Sequence, residues 1–209
     1  MGKEWEVAGT ARRDFAELIE SLDDKQLEAE TWCEGWTPKH VLAHLVGFVD
    51  VSLPKFFFNI ARNKFNFDAA SVAAANKAVD ERTVDEMVAS LKAKSTQASK
   101  LPSFPEGLTV ADVAVHTQDV RCALGLDGEL SAEVLTGALT FMTTDPKAQK
   151  IFEIPSLDGL SFEATDTGYT SGSGKAVAGS GASIITALMG RPTLDELSGD
   201  GVADLRSRL

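Results

Sequence analysis

The three histidines of this chain are the residues whose types and spacing are best suited to chemistry. His40 and His44 lie four residues apart, and His116 follows Asp112 by four. Residues four apart share one face of an α-helix, so each pair can project to the same side of its helix. Imidazole and carboxylate groups on facing helices are the ligands from which metal sites in helix bundles are built. The spacing therefore predicts either a metal site or a hydrogen-bonded polar core.

The segment TVADVAVHTQDVR, Thr109 to Arg121, concentrates these polar groups in an otherwise apolar helix. At helical periodicity Asp112, His116 and Asp119 fall within an arc of about 60°. A histidine, a carboxylate and a second histidine, with one further position left to water or substrate, form the ligand set of a catalytic zinc site. Gly47 lies one turn after His44 and leaves space there for a small ligand.

Each of these polar residues also has a structural interpretation. Asp112 follows Thr109 by three residues, the spacing of a capping box at the start of a helix. His40 occupies the third position after a predicted N-cap, which favours a solvated or supporting role over ligation. His44 and His116 have apolar neighbours, and hydrogen bonds within a core could satisfy their ring nitrogens equally well.

The elements that must position these residues are mostly helical. Periodicity, caps and breakers predict helices over residues 4–22, from 37 to Pro54, 83–99, 109–125 and 131–143. We expect Pro54 either to end this helix or to kink it, in which case the apolar segment after it continues in a bent geometry. From Asp145 onward, short β-prone pieces surround a Gly/Ser-rich turn, and we expect a hairpin at Gly172–Gly174 because the spacing fits neither dinucleotide-binding nor P-loop motifs.

Composition restricts the partners. A formal net charge of −11 argues against nucleic acid and against an anionic membrane, so we expect small-molecule partners. No apolar run has the length of a membrane span, and the N-terminal residues lack the apolar core of a signal peptide, so we expect a cytoplasmic protein. With only Cys33 and Cys122, we expect reduced, unreactive thiols.

Three segments carry a family resemblance: TWCEGWTPKHVLAHL, VAVHTQDVRCALGL, and the C-terminal stretch that begins FEATDTGYTSGSGK and runs to the last residue. They resemble, in the same order, the mycothiol-dependent maleylpyruvate isomerase family of actinobacteria, whose helical domain is one of the DinB-like bundles. The resemblance covers most of the chain. It implies that the helical part is a DinB-like bundle. With the change in composition after Asp145, we expect a mainly α fold, with a DinB-like four-helix bundle over residues 1–150 and a small α/β C-terminal domain over residues 151–209.

The resemblance also implies a metal site. The family's ligands correspond to His44, Asp112 and His116, which would hold a divalent metal that we expect to be zinc. The isomerase uses glutamate where this chain has Asp112, so we expect looser binding or a bridging water. His40 matches no family ligand. We assign Asp119 as the catalytic candidate that orients an imidazole or contacts the substrate, and we carry over no substrate-binding arginine.

The implied activity is thiol chemistry with mycothiol, or a similar low-molecular-weight thiol, and a small electrophilic substrate. In the isomerase the thiolate adds to a cis double bond, the resulting single bond rotates, and elimination gives the trans acid. The same residues would suit a mycothiol S-transferase. The alternative is a non-enzymatic bundle, with a structural metal or a hydrogen-bonded core, that acts as a binding or dimerisation module. Homodimer formation stays open.

Overall fold

The computed structural model of the chain describes residues 3–50, 52–99 and 104–209. Its helices are α1 (Lys3–Glu20), α2 (Asp24–Leu27), α3 (Pro38–Val49), α4 (Leu53–Arg62), α5 (Phe67–Glu81), α6 (Val84–Ala93), α7 (Glu106–Leu124), α8 (Ala132–Thr144), α9 (Pro146–Ile151), α10 (Gly181–Leu188) and α11 (Val202–Arg208). Its strands are β1 (Leu160–Ala164), β2 (Tyr169–Gly172) and β3 (Lys175–Gly179). The predicted fold class, mainly α with a small α/β part at the C-terminus, is confirmed.

Local capping signals set several helix ends where the sequence predicts them. Thr37 precedes Pro38 at the start of α3, and a capping box between Thr83 and Glu86 starts α6. The Ser131 side chain accepts the Val134 amide at the start of α8. These side chains satisfy amides that the first turn of a helix leaves without a partner.

The region after α3 differs from its prediction. Pro54 lies in the first turn of the separate helix α4, where a proline needs no amide hydrogen bond, so it helps to start this helix. The alanine-rich helix α5 was not predicted. Its N-cap is Asn66, whose side chain accepts the Ala69 amide.

The chain forms two compact units. The first contains Met1–Glu106 and Val120–Leu126, and the second contains Gly107–Asp119 and Asp127–Leu209. Each therefore includes part of α7. The boundary predicted near residue 150 from composition stays a prediction.

In the first unit, α1, α3 and α6 pack against one another, and α5 packs on α3. Their buried apolar side chains include Phe15, Ile19, Leu42, Leu45 and Leu91. Arg12 is a buried charged residue of this unit: it is 2% exposed, and its Nη1 donates to the carbonyls of Ser95 (2.7 Å) and Gln97 (3.0 Å). This arginine joins α1 to the end of α6.

Asp50, which follows α3, links α3 to α6 in the same unit. Its carboxylate accepts hydrogen bonds from Arg82 Nη1 at 2.9 Å and Ser90 Oγ at 2.8 Å, and it also pairs with Lys94. Burial would raise the pKa of Asp50, but its three partners outweigh that effect and lower it.

In the second unit, β1 lies in the middle of a three-stranded sheet of order β2-β1-β3. It pairs antiparallel with β2 (Ser161 opposite Gly172) and parallel with β3 (Ser161 opposite Ala176). The hairpin therefore joins β1 and β2, and the expected hairpin at Gly172–Gly174 is wrong because β2 and β3 are not neighbours. Helices α8 and α10 pack on the sheet.

No helix within the described residues combines the length and the hydropathy that a membrane crossing requires.

Candidate metal centre

Helix α7 places Asp112, His116 and Asp119 one turn apart along one side, as predicted. It begins at Glu106, with Pro105 as N-cap, so Thr109 lies inside the helix. Asp112 is therefore an interior helical residue, and the capping-box interpretation of Asp112 is wrong. Gly125 ends the helix in a left-handed conformation with φ of 61°, which suits glycine.

His116 lies between two carboxylates of its own helix. Its Nδ1 is 3.2 Å from Asp119 Oδ2, and its Nε2 is 3.7 Å from Asp112 Oδ1. The side chains of His116 and Asp112 are only 12% and 15% exposed. The imidazole thus has one carboxylate at each ring nitrogen in a largely buried setting.

Arg191, in the segment after α10, holds Asp119 from the other side. Its Nε donates to Asp119 Oδ1 at 2.8 Å, and its Nη2 donates to Oδ2 at 2.9 Å. This two-bond geometry is the strong form of an arginine–carboxylate pair. Nη1 also donates to the carbonyl of Met189. Arg191, Asp119 and His116 thus form a continuous hydrogen-bonded chain within the second unit.

The protonation states follow from these contacts. Burial would raise the pKa of Asp119, but hydrogen bonds from Arg191 and His116 outweigh it and lower this pKa. Burial would lower the pKa of His116, yet its hydrogen bond to Asp119 and the charges of Asp112 and Asp119 raise it. An ionised carboxylate only accepts hydrogen bonds, so Nδ1 of His116 must carry the proton. In the neutral imidazole the lone pair is then on Nε2, on the side of Asp112.

His44 belongs to the first unit, on α3. Its Nδ1 is 2.9 Å from Ser71 Oγ on α5. The rings of Trp36 and Phe48 lie against the imidazole, with centroid distances of 5.1 and 4.9 Å. These contacts fix the plane of the ring. Gly47, one turn after His44, is exposed, and within the described residues a Cβ added there would meet no atom within 4 Å outside its own turn of helix, so the predicted space is open to solvent.

His40 has a local role at the start of α3. Its Nδ1 lies 2.9 Å from Thr37 Oγ1 and accepts the Thr37 amide at 3.3 Å, which completes a capping box. This contact agrees with the supporting role that the sequence favours over ligation.

The donor chemistry of these residues fits a divalent metal. His116 and His44 each have Nδ1 in a hydrogen bond, which is how proteins orient an imidazole that ligates through Nε2. The 3.7 Å from His116 Nε2 to Asp112 Oδ1 is too long for a hydrogen bond. It is close to the roughly 3.3 Å between two ligand atoms that share a tetrahedral zinc.

Two contacts at this centre were not predicted. Ser71 lies on α5, which no sequence signal identified, so its bond to His44 could not be inferred. The sequence alone leaves open whether Arg191 reaches the site or caps a helix, and it does not indicate the two-bond pairing of Arg191 with Asp119. Cys33 and Cys122 form no disulfide, and Cys122 is exposed.

Comparison with known proteins gives one family and one fold. Residues 8–121 match the family described as mycothiol maleylpyruvate isomerase N-terminal domain. A crystal structure of the mycothiol-dependent maleylpyruvate isomerase is similar, with a TM-score of 0.55 and 16% identity over 95% of this chain and 92% of that chain. The crystal structure of a histidine-to-alanine mutant of that enzyme is also similar, with a TM-score of 0.57 and 15% identity over the same shares of the two chains. No curated protein matches the sequence.

Proposed function

Because this chain belongs to the mycothiol maleylpyruvate isomerase N-terminal domain family, we propose that it is a mycothiol-dependent isomerase or S-transferase. It requires a divalent metal, which we propose to be zinc, and it acts on a small electrophilic substrate. The observation that carries this proposal is the arrangement around His116. Asp119 fixes the proton on Nδ1, and the opposite nitrogen lies on the side of a second carboxylate, Asp112.

We propose His44, Asp112 and His116 as the metal ligands. Two imidazoles and one carboxylate are the ligand count of catalytic zinc sites that keep a further position for water or substrate. Glutamate occupies the Asp112 position in the isomerase that the sequence resembles. Aspartate is one methylene shorter, so this chain binds the metal less tightly than a glutamate variant would.

The metal, when bound, supplies positive charge that favours the thiolate form of the cofactor at neutral pH. The protein's own residues prepare the site. Asp119 keeps the Nδ1 proton of His116 in place, and Arg191 keeps Asp119 ionised. Trp36 and Phe48 pack against His44 and fix the plane of its ring. The open space at Gly47 gives a small ligand room beside this histidine.

Isomerisation and S-transfer begin with the same step, in which a thiolate adds to an electrophilic carbon. The test is therefore to supply the zinc-loaded protein with mycothiol and two electrophiles: maleylpyruvate, and a bimane that fluoresces on thiol conjugation. We expect turnover of at least one of them, which a Gly47→Leu variant loses because its side chain fills the space. If zinc-loaded protein turns over neither electrophile, the enzymatic proposal is wrong and a binding or dimerisation module is favoured.

A further inference from the structure

Helix α4 and the turn after it present their apolar side chains to solvent. Between Asp50 and Asp68 the sequence holds five of the chain's eleven phenylalanines. None of the residues of α4 is buried. The exposed fractions are 57% for Phe57, 69% for Phe58 and 80% for Phe65. A cluster of projecting aromatic side chains of this kind marks an interaction surface.

The half-buried side of α4 is mixed, with the apolar residues Leu53, Phe56 and Ile60 beside Asn59 and Asn63. Asn59 Nδ2 donates to the carbonyl of Ala70 on α5 at 2.8 Å, and Asn63 Nδ2 donates back to the carbonyl of Asn59. The Asn59 bond attaches α4 to α5. The opposite side of α4, with Phe57 and Phe58, is exposed.

The turn after α4 exposes Phe65, and it does so through an unfavourable backbone conformation. Lys64 and Phe65 both adopt the left-handed region, with φ of 56° and 62°, which side chains other than glycine rarely occupy. The Phe65 amide donates to the carbonyl of Ile60, and the Lys64 amide donates to that of Ala61, the pattern of a Schellman motif. These bonds fix the turn and with it the direction of Phe65.

Positive charge accompanies the aromatic residues. The sequence between Asp50 and Asp68 contains Lys55, Arg62 and Lys64 and no acidic residue, although the chain as a whole carries −11. Lys55 and Arg62 lie about 20° apart at helical periodicity, at one margin of the outward apolar face. At physiological salt, charges more than about 8 Å away are largely screened, so this local excess of cations governs what approaches the surface.

We propose that α4 and its following turn dock on an anionic lipid bilayer. The docking surface consists of Lys55, Phe57, Phe58, Arg62, Lys64 and Phe65. A ten-residue helix cannot span a bilayer, but an amphipathic one lies in the interface, with its aromatic side chains among the acyl chains and its cations at the phosphates. The net charge of −11 belongs to the whole chain, whereas this segment carries only positive charges.

The charges favour a bilayer over a second copy of this chain. In a symmetric dimer through this surface, the three cations of each copy would face those of the other, which is unfavourable. A bilayer also accepts separate projecting side chains without a matching pocket. This proposal does not depend on the metal centre.

The experiment is co-sedimentation of the full chain with vesicles of phosphatidylcholine, with or without about one-quarter phosphatidylglycerol. We expect binding to the anionic vesicles, little binding to the neutral ones, and a clear loss as salt rises from about 0.1 M to about 0.5 M. Replacing Phe57, Phe58 and Phe65 together by serine should lower the partition coefficient at least about tenfold.

Reversing Lys55, Arg62 and Lys64 to glutamate should lower the partition coefficient by a similar factor and remove its salt dependence. The matched control lies on α9, where Lys147, Lys150 and Ile151 are also exposed. Reversing those two lysines and changing Ile151→Ser should alter partitioning less than about twofold. Unchanged thermal unfolding would show that each variant folds.

Three results would overturn the proposal. The first is wild-type protein that sediments no better with anionic than with neutral vesicles. The second is serine variants that bind as well as wild type, which would leave only non-specific charge attraction. The third is a wild-type dimer, seen by light scattering, that the serine substitutions convert to monomer while vesicle binding stays unchanged. That result would assign the surface to a second copy of the chain.

Discussion

The ion pair between Arg191 and Asp119 is largely buried, and we expect it to contribute measurably to the stability of the fold. Asp119 is fully buried, the Arg191 side chain is 20% exposed, and two hydrogen bonds of 2.8 and 2.9 Å join them. At about 4 Å between charges and an effective dielectric constant near 20, the attraction is about 4 kcal/mol, which desolvation partly offsets. Removing one partner leaves a largely buried charge, which costs about 3 kcal/mol.

The measurement is a double-mutant cycle by urea unfolding of the metal-free protein at neutral pH. Arg191→Met and Asp119→Asn should each lower the free energy of unfolding by about 3 kcal/mol, and the double variant by little more. If the double variant loses about 3.5 kcal/mol, the coupling energy is about 2.5 kcal/mol. A coupling below about 0.5 kcal/mol would refute the reasoning, since independent losses would mean that the guanidinium does not hold the carboxylate.

A matched control is available in the pair between Arg206 and Asp195. These residues have the same chemistry and are 2.6 Å apart, but their side chains are 51% and 90% exposed. Solvent screening should reduce their coupling energy to at most about 0.5 kcal/mol. Equal coupling in the two pairs would show that burial does not set the strength.

Three further predictions concern stability and the metal. Asp50→Asn should lower the free energy of unfolding by about 2 kcal/mol near neutral pH, measured by urea unfolding. Because folding lowers the pKa of Asp50, this difference should persist above the unfolded pKa of about 3.9 and shrink as pH falls through the folded value. Arg12→Met should cost about 2 to 3 kcal/mol in the same assay because two carbonyls lose their buried donor; a loss below about 0.5 kcal/mol would contradict this. Asp112→Glu should tighten zinc binding in a competition titration, and Asp112→Ala should weaken it at least about tenfold; unchanged affinity in both would remove Asp112 from the ligand set.

The elements that the sequence predicts well have their signals nearby in the chain. Thr37 with Pro38, Thr83 with Glu86, and Ser131 each mark a helix start within one turn. Helix α5 lacks a clear alternation of polar and apolar residues, because alanine occupies both its exposed and its buried positions. A proline such as Pro54 is equally suited to ending one helix and starting the next.

Contacts between distant residues could not be predicted in the same way. The order of the three strands depends on β1 pairing with both neighbours, and no local turn encodes this. Arg191 and Asp119 lie 72 residues apart, and their pairing depends on where the segment after α10 returns. Helical periodicity could place Asp112, His116 and Asp119 on one face because that relation is local. It could not show which nitrogen of His116 holds the proton.

The most direct test of the central claim is the metal content of untagged protein, measured by elemental analysis after incubation with zinc and removal of the excess. We expect about one zinc per chain in wild type and loss of that metal in His44→Ala and in His116→Ala. His40→Ala is the control and should keep the metal, because His40 caps α3. Wild-type protein without metal, or equal loss in all three variants, would mean that these residues form a hydrogen-bonded core and no metal centre.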